Sequence, residues 1–188
     1  MKKLSIKSKK KPKPFSKLSQ PEKRVAIARD VLLQIKHQKY IANAGAYIKN
    51  MTFDGIYINN GEDIKKNFKN IHRCSVCAMG ACLLSATKFA NKLSFDDIGE
   101  SIDSLRNDKV RELFASIFSP LQLLMIETAF EGKFSGTRVG VSLFDMNKYE
   151  HQNELNKCIE FYHNHFNAES RMITIMKNII KNKGEFKP

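Results

Sequence analysis

One stretch of the chain, residues 74–91, reads C-S-V-C-A-M-G-A-C-L-L-S-A-T-K-F-A-N and decides the fold class. No large polar side chain interrupts it before Lys88. Its small residues, among them Ala78, Gly80 and Ala81, allow neighbouring elements to approach the backbone closely. An apolar segment without a polar face belongs inside a protein. The stretch therefore predicts a central buried helix.

The segment before this helix predicts another helix with a defined start. Ser19 followed by Glu22 forms a capping box, and Pro21 stands in the first turn. Apolar residues then recur at helical spacing, which predicts a helix to about Lys39.

The segments after the central helix carry start and stop signals for several further helices. Helix starts are expected at Ser94 with Asp97, at Asp108, at Ser119-Pro120 with Gln122, and at Asn167. Gly132 is expected to end the third of these, and residues 133–147 are read as a loop, with or without one short strand. The last two helices are predicted over residues 148–166 and 168–182.

Two short runs favour β-structure between the first helix and the central one. They are Ala46-Tyr47-Ile48 and Gly55-Ile56-Tyr57-Ile58, separated by Asn, Asp and Gly residues. A small β-hairpin is the expected result. The predicted fold class is therefore mostly α: a single helical domain over residues 19–188, with a small β-hairpin and a disordered basic N-terminal arm over residues 1–18.

Positive charge is concentrated at the start of the chain. The formal net charge is +13, yet ten cations and a single acid, Glu22, lie within the first 24 residues. This split predicts that the arm binds a polyanion, and RNA or an RNA-protein complex is the leading expectation. A solubilising tail, a lysine-rich composition and an anionic membrane surface are the alternatives, and RNA is not distinguished from DNA. The residues predicted to contact nucleic acid are Lys2, Lys3, Lys7, Lys9, Lys10, Lys11, Lys13, Lys17, Lys23, Arg24, Lys36, Lys39, Lys65, Lys66 and Lys69.

The distribution of apolar residues along the sequence indicates in which cellular compartment the protein is expected. No apolar run approaches the roughly 20 residues that a membrane span needs. The apolar residues of the arm are scattered among lysines, which is not the pattern of a secretory signal. A cytoplasmic protein with reduced cysteines is expected.

His72, Cys74, Cys77 and Cys82 form the sequence's most conspicuous group of reactive side chains. Thiolate and imidazole ligands suit zinc, but the second half of a C-x-x-C site is missing, and Cys77 and Cys82 would lie about 140° apart on one helix. The further ligands would have to come from Cys158, His163 or His165. Buried reduced thiols without a metal or cofactor are therefore predicted. The alternative is a small metal-dependent or cysteine-based enzyme centred on Cys74–Cys82, with His72 as the base.

Two further observations favour a non-enzymatic protein. Acidic residues at 96, 97, 100 and 103 lack the spacing of a calcium loop and are read as the solvated first turn of a helix. Phosphate-binding, dinucleotide-binding, nucleophile-elbow and zinc-protease motifs do not occur in the sequence. No catalytic residue is therefore predicted.

Three segments resemble a family of small, largely uncharacterised proteins of bacteria and their mobile elements. They are R-V-A-I-A-R-D-V from Arg24, C-S-V-C-A-M-G-A-C-L-L-S from Cys74, and I-M-K-N-I-I-K-N-K-G-E-F-K-P over residues 175–188. The resemblance spans most of the body and brings no catalytic residues. The small size, lysine bias and basic arm are also similar to phage-encoded inhibitors, including anti-CRISPR proteins. That likeness implies an RNA-guided nuclease or its guide RNA as the partner.

Overall fold

The computed structural model describes residues 13–45, 47–53, 68–90, 93–94, 97, 107–132 and 148–188. Within these ranges the chain is mostly helical, as predicted. The helices are α1 (Gln20–Lys36), α2 (Ala78–Ala90), α3 (Asp108–Ala115), α4 (Pro120–Glu131), α5 (Gln152–His163) and α6 (Ala168–Lys181). The strands are β1 (Tyr40–Ala42), β2 (Ile48–Phe53) and β3 (Ile71–Val76), and short 3-10 helices cover Phe15–Lys17, Phe68–Asn70 and Lys148–His151.

Local capping chemistry sets most of the helix ends. The Ser19 side chain accepts a hydrogen bond from the Glu22 N–H, and the Glu22 carboxylate accepts one from the Ser19 N–H, so the capping box of α1 is confirmed. Helix α1 ends at Lys36, earlier than predicted, because the chain turns at His37. The side chains of Asn107, Ser119 and Asn167 cap the N-termini of α3, α4 and α6. The α3 cap precedes its predicted position by one residue.

Helix α2 is the central buried helix that the sequence predicts. Residues 78–87 are all buried, and α2 packs against α1 and α4. The helix begins at Ala78 rather than at Cys74, because the preceding residues belong to strand β3. Gly80 lies directly against the backbone carbonyl of Tyr47, where a Cβ atom would stand 1.8 Å from the carbonyl oxygen.

Strand β2 pairs with a strand that the sequence analysis does not predict. Within the described residues the sheet has three strands in the order β1-β3-β2, with β3 parallel to β1 and antiparallel to β2. Strand β2 therefore pairs with residues 71–76 through Ile48 opposite Val76. The predicted second strand, residues 55–58, lies outside the described residues. Burial of Ile71, Cys74 and Val76 stabilises strand β3. The local sequence of this strand mixes polar and apolar residues, so its composition does not predict a strand.

The two ends of the body meet where α1 packs against α6. The backbone of Pro21 lies against Gly184, so the N-terminal end of α1 lies beside the C-terminal end of α6. Helix α4 packs against α5 and α6, and the buried apolar side chains form one continuous core. In the described ranges no single helix has both the length and the apolar character to span a membrane. Helices α3 and α4 pass that test only as a pair that bends by 98°.

Candidate basic interface

The last residues of the predicted arm are ordered on the body, which corrects the arm boundary. Residues 15–17 form a 3-10 helix, and the Phe15 ring stacks on the Phe89 ring of α2 with centroids 4.9 Å apart. The ammonium group of Lys23 lies 5.9 Å from the centroid of Phe15. An aromatic pair with an added cation holds this segment in place, which a charge-based prediction of disorder does not anticipate. Residues 1–12, with six of the predicted lysines, lie outside the described residues.

The described lysines of the predicted interface fall into two groups at opposite ends of α1. Lys13, Lys17 and Lys23 lie at its N-terminal end, whereas Lys36, Lys39 and Lys69 lie at its C-terminal end, where the Lys39 ammonium donates to the Lys69 carbonyl over 3.1 Å. A separation of thirteen residues along a helix corresponds to about 20 Å. The structure therefore does not bring these lysines into one patch. Residues 65 and 66 lie outside the described ranges.

The prediction that Arg24 contacts nucleic acid is wrong, because the side chain is buried. Its Nε donates to the Gly184 carbonyl over 2.6 Å, and a terminal nitrogen donates to the Ile117 carbonyl over 2.9 Å. A second terminal nitrogen pairs with the carboxylate of Glu185. These contacts join α1 to the C-terminal segment and to the turn before α4. The guanidinium is committed to the protein itself and is not available to a phosphate.

A shallow cleft lies beside the ordered end of the arm, and sequence reasoning missed two of its cations. Arg29 on α1 and Lys183 after α6 stand on its walls with Lys13, and its volume is about 460 Å³. The remaining lining residues are Leu18, Pro21, Glu22, Val25, Ala26 and Ile180. Arg29 and Lys183 are far apart in the sequence, and the packing of α1 on α6 brings them to one cleft. No local sequence pattern could therefore predict this pair.

The acid in this cleft is already engaged. The backbone N–H and the hydroxyl of Ser19 hydrogen-bond the Glu22 carboxylate and, with the Lys13 ammonium 3.5 Å away, hold its pKa below the usual value. Among the described residues, neither Arg29 nor Lys183 has an acidic partner. The cleft therefore has a net positive rim over partly exposed aliphatic side chains.

The four cysteines are buried, as predicted, and none of them forms a disulfide. Cys74 lies on β3, Cys77 precedes α2, Cys82 lies within α2 and Cys158 lies on α5. Burial raises the pKa of Cys74, Cys77 and Cys158 to about 12, and raises that of Cys82 further. Within the described part of the chain, no three His, Cys, Asp or Glu side chains are placed to share a metal ion. His72 is exposed, whereas Cys74 is wholly buried.

The native thiols are expected to react with an aromatic disulfide reagent only as fast as the protein opens. A thiol with a pKa of about 12 stays protonated at pH 8, and burial excludes the reagent. Labelling should be slow in native buffer and complete in urea. A Leu33→Cys variant supplies the control, because residue 33 is exposed on α1 and its thiol should react at once. One native cysteine that reacts as fast as this control would instead support the cysteine-based enzyme.

Asp97 is the described member of the predicted acidic face, and it is buried rather than solvated. Burial opposes its ionisation, but hydrogen bonds from the Ser94 N–H and hydroxyl and from the Lys109 ammonium, 3.1 Å away, outweigh this effect and lower its pKa. Asp97 thereby connects residue 94 to the start of α3. The acids at 96, 100 and 103 lie outside the described residues.

Comparisons of the chain with protein-family models, with curated proteins and with solved structures gave no match. The resemblance carried by three sequence segments therefore stays a prediction. The function is inferred from the charges and contacts of the described residues.

Proposed function

We propose that the protein is a non-enzymatic binding protein for RNA or an RNA-protein complex, and that its basic arm contacts the phosphates. The observation that carries this proposal is the stacking of Phe15 on Phe89, which fixes residue 15 to the body. The arm lysines therefore start from a defined point on the surface, next to exposed Lys13 and Lys17. An inert solubilising tail has no need of such an attachment.

Charge supplies the affinity in this proposal. Lysines that neutralise phosphates release condensed counterions, so binding depends strongly on salt and only weakly on sequence. Residues 1–12 contain six lysines and no acid, and Lys13 and Lys17 continue the same run. Specificity has to come from the body, because lysines that contact phosphates do not read bases. Buried thiols with raised pKa values agree with a binding role, since a thiolate nucleophile needs the opposite shift.

The narrower form of the proposal is an inhibitor of an RNA-guided nuclease. It is supported by the resemblance to phage-encoded inhibitors and by the separation between a charged arm and a folded body. In that form, the arm would compete for the RNA or its groove, and the body would supply the contacts to the nuclease.

Replacing the six lysines of residues 1–12 with glutamine is expected to remove most of the affinity for single-stranded RNA. Each phosphate contact contributes about −0.7 to the slope of log K against log salt, so the slope should become shallower by up to about 4. The measurement is fluorescence anisotropy with a labelled oligouridine across a salt titration. Residue 15 and its stacking contact stay intact in this variant, so the fold should be unchanged.

The matched control replaces the same six lysines with arginine. This variant keeps the positive charge, so the slope of log K against log salt should be unchanged. The comparison therefore separates the effect of charge from that of the lysine side chain itself. If the glutamine variant binds with the slope of the unmodified chain, the arm is not the contact surface and the proposal is wrong.

A further inference from the structure

We infer that the cleft between α1 and the end of α6 docks an acidic, leucine-rich peptide segment of a protein partner. This inference rests on the proposed function only in placing that partner within an RNA-protein complex. The residues of the cleft support the peptide contact, and the contact between the arm and RNA does not require this cleft.

The floor of the cleft is aliphatic. Leu18, Val25 and Ile180 are each half-buried and line the concavity together with Pro21 and Ala26. Its volume of about 460 Å³ lies within the range of roughly 300–1,000 Å³ that is usual for ligand sites. Partly exposed aliphatic side chains gathered in a concavity gain free energy when a partner's apolar side chains cover them.

The rim selects an anionic occupant. Arg29 and Lys183 stand on it without an acidic partner among the described residues, and Lys13 adds a third cation. Glu22 is the acid there, and its carboxylate is held by the Ser19 cap and by Lys13. A guanidinium without a partner is suited to bidentate pairing with a carboxylate.

Three other occupants fit the cleft less well. Residues 1–12 carry six lysines and no acid, so the rim repels them. A second copy of the chain carries a net charge of +13, so it supplies no excess of carboxylates for the rim. RNA offers phosphates, but none of the described residues that line the cleft is aromatic and able to stack a base, and bases leave an aliphatic floor poorly filled. Aliphatic side chains flanked by carboxylates match both the floor and the rim, as in recognition of an amphipathic helix by a groove.

The test uses the full chain and a labelled 14-residue synthetic peptide with leucines at helical i, i+3, i+4 and i+7 spacing and glutamates elsewhere. Binding is followed by fluorescence anisotropy at physiological salt. The cleft variant combines Arg29→Glu with Lys183→Glu. The control variant combines Lys157→Glu with Lys177→Glu, which changes the net charge equally at exposed positions on α5 and α6 that do not line the cleft.

The unmodified chain is expected to bind this peptide saturably, the cleft variant about tenfold more weakly, and the control variant within about twofold of the unmodified chain. An Ala26→Gln variant, which fills the floor without changing charge, should also weaken binding. A peptide with every leucine replaced by glutamine should lose affinity, because only the leucines cover the floor.

Several results would overturn the inference. They are equal binding of the leucine-free peptide, equal losses in the cleft and control variants, or no saturable binding up to about 1 mM. Loss of oligouridine rather than peptide in the cleft variant would show a nucleic-acid contact instead. The glutamine variant of residues 1–12 keeps the two proposals apart, because it should lose RNA and retain the peptide. If it retains both ligands, the proposed arm function fails and the peptide site stands.

Discussion

Gly80→Ala is expected to lower the free energy of unfolding by about 3 kcal/mol. An added Cβ would lie 1.8 Å from the Tyr47 carbonyl oxygen and 2.9 Å from its carbon. These are backbone atoms, so no side-chain rotation relieves the overlap. The same carbonyl accepts a hydrogen bond from the Cys77 N–H over 3.3 Å, so displacing it also disturbs the start of α2. Alanine gains about 1 kcal/mol of helix propensity over glycine, which is too little to offset the overlap.

Urea denaturation of the full chain measures this loss, and Gly45→Ala is the matched control. Gly45 has a φ of 75° with no atom within 4 Å of an added Cβ, so alanine there costs only the backbone strain of about 1–2 kcal/mol. A Gly80→Ala variant as stable as Gly45→Ala would show that α2 and Tyr47 are not in close contact.

Arg24→Met is expected to cost about 3 kcal/mol of stability, because it removes one partner of a buried ion pair and two further hydrogen bonds. The carbonyls of Gly184 and Ile117 lose their buried donor, at about 1–3 kcal/mol for each group left without a partner. Glu185 is 40% exposed, so water solvates its freed carboxylate and keeps the loss near the lower end of the range for buried pairs.

Arg29→Met, on the same helix, is the control for this variant. Arg29 is exposed, and its replacement should change stability by no more than about 0.5 kcal/mol. Chemical denaturation of the two variants side by side decides the role of Arg24. Equal denaturation midpoints of the two variants would show that Arg24 makes no stabilising buried contacts. Arg24 would then be a candidate phosphate contact again. Arg24→Lys should also lose stability, because a single ammonium cannot reach all three acceptors.

Local chemistry explains which parts of the fold could be predicted. The caps at Ser19, Ser119 and Asn167 act within one turn of the backbone, so the sequence predicts them correctly. Gly132 ends α4 with a φ of 68°, again a local effect. Burial of the central helix also follows from composition, since residues 78–87 have no polar face to expose.

Strand β3 shows where such reasoning stops. Residues 74–76, Cys-Ser-Val, are small, and a run this short suits a helix and a strand equally well. The partners decide the outcome: Cys74 pairs with Tyr40, and Val76 lies between Ala42 and Ile48. These contacts join residues far apart in the chain, and no local propensity encodes them.

The sequence by itself determined the helical class, the capped helix ends, the buried thiols and the basic start of the chain, because each depends on neighbouring residues or on composition. Only the tertiary structure decided which arginine of α1 is structural. Arg24 and Arg29 lie about 140° apart on the helix. The segment after α6 and the turn before α4 bury Arg24, whereas Arg29 lines the cleft with Lys183. The candidate cleft has the same origin. Its walls come from opposite ends of the chain, so it exists only once α1 and α6 have packed.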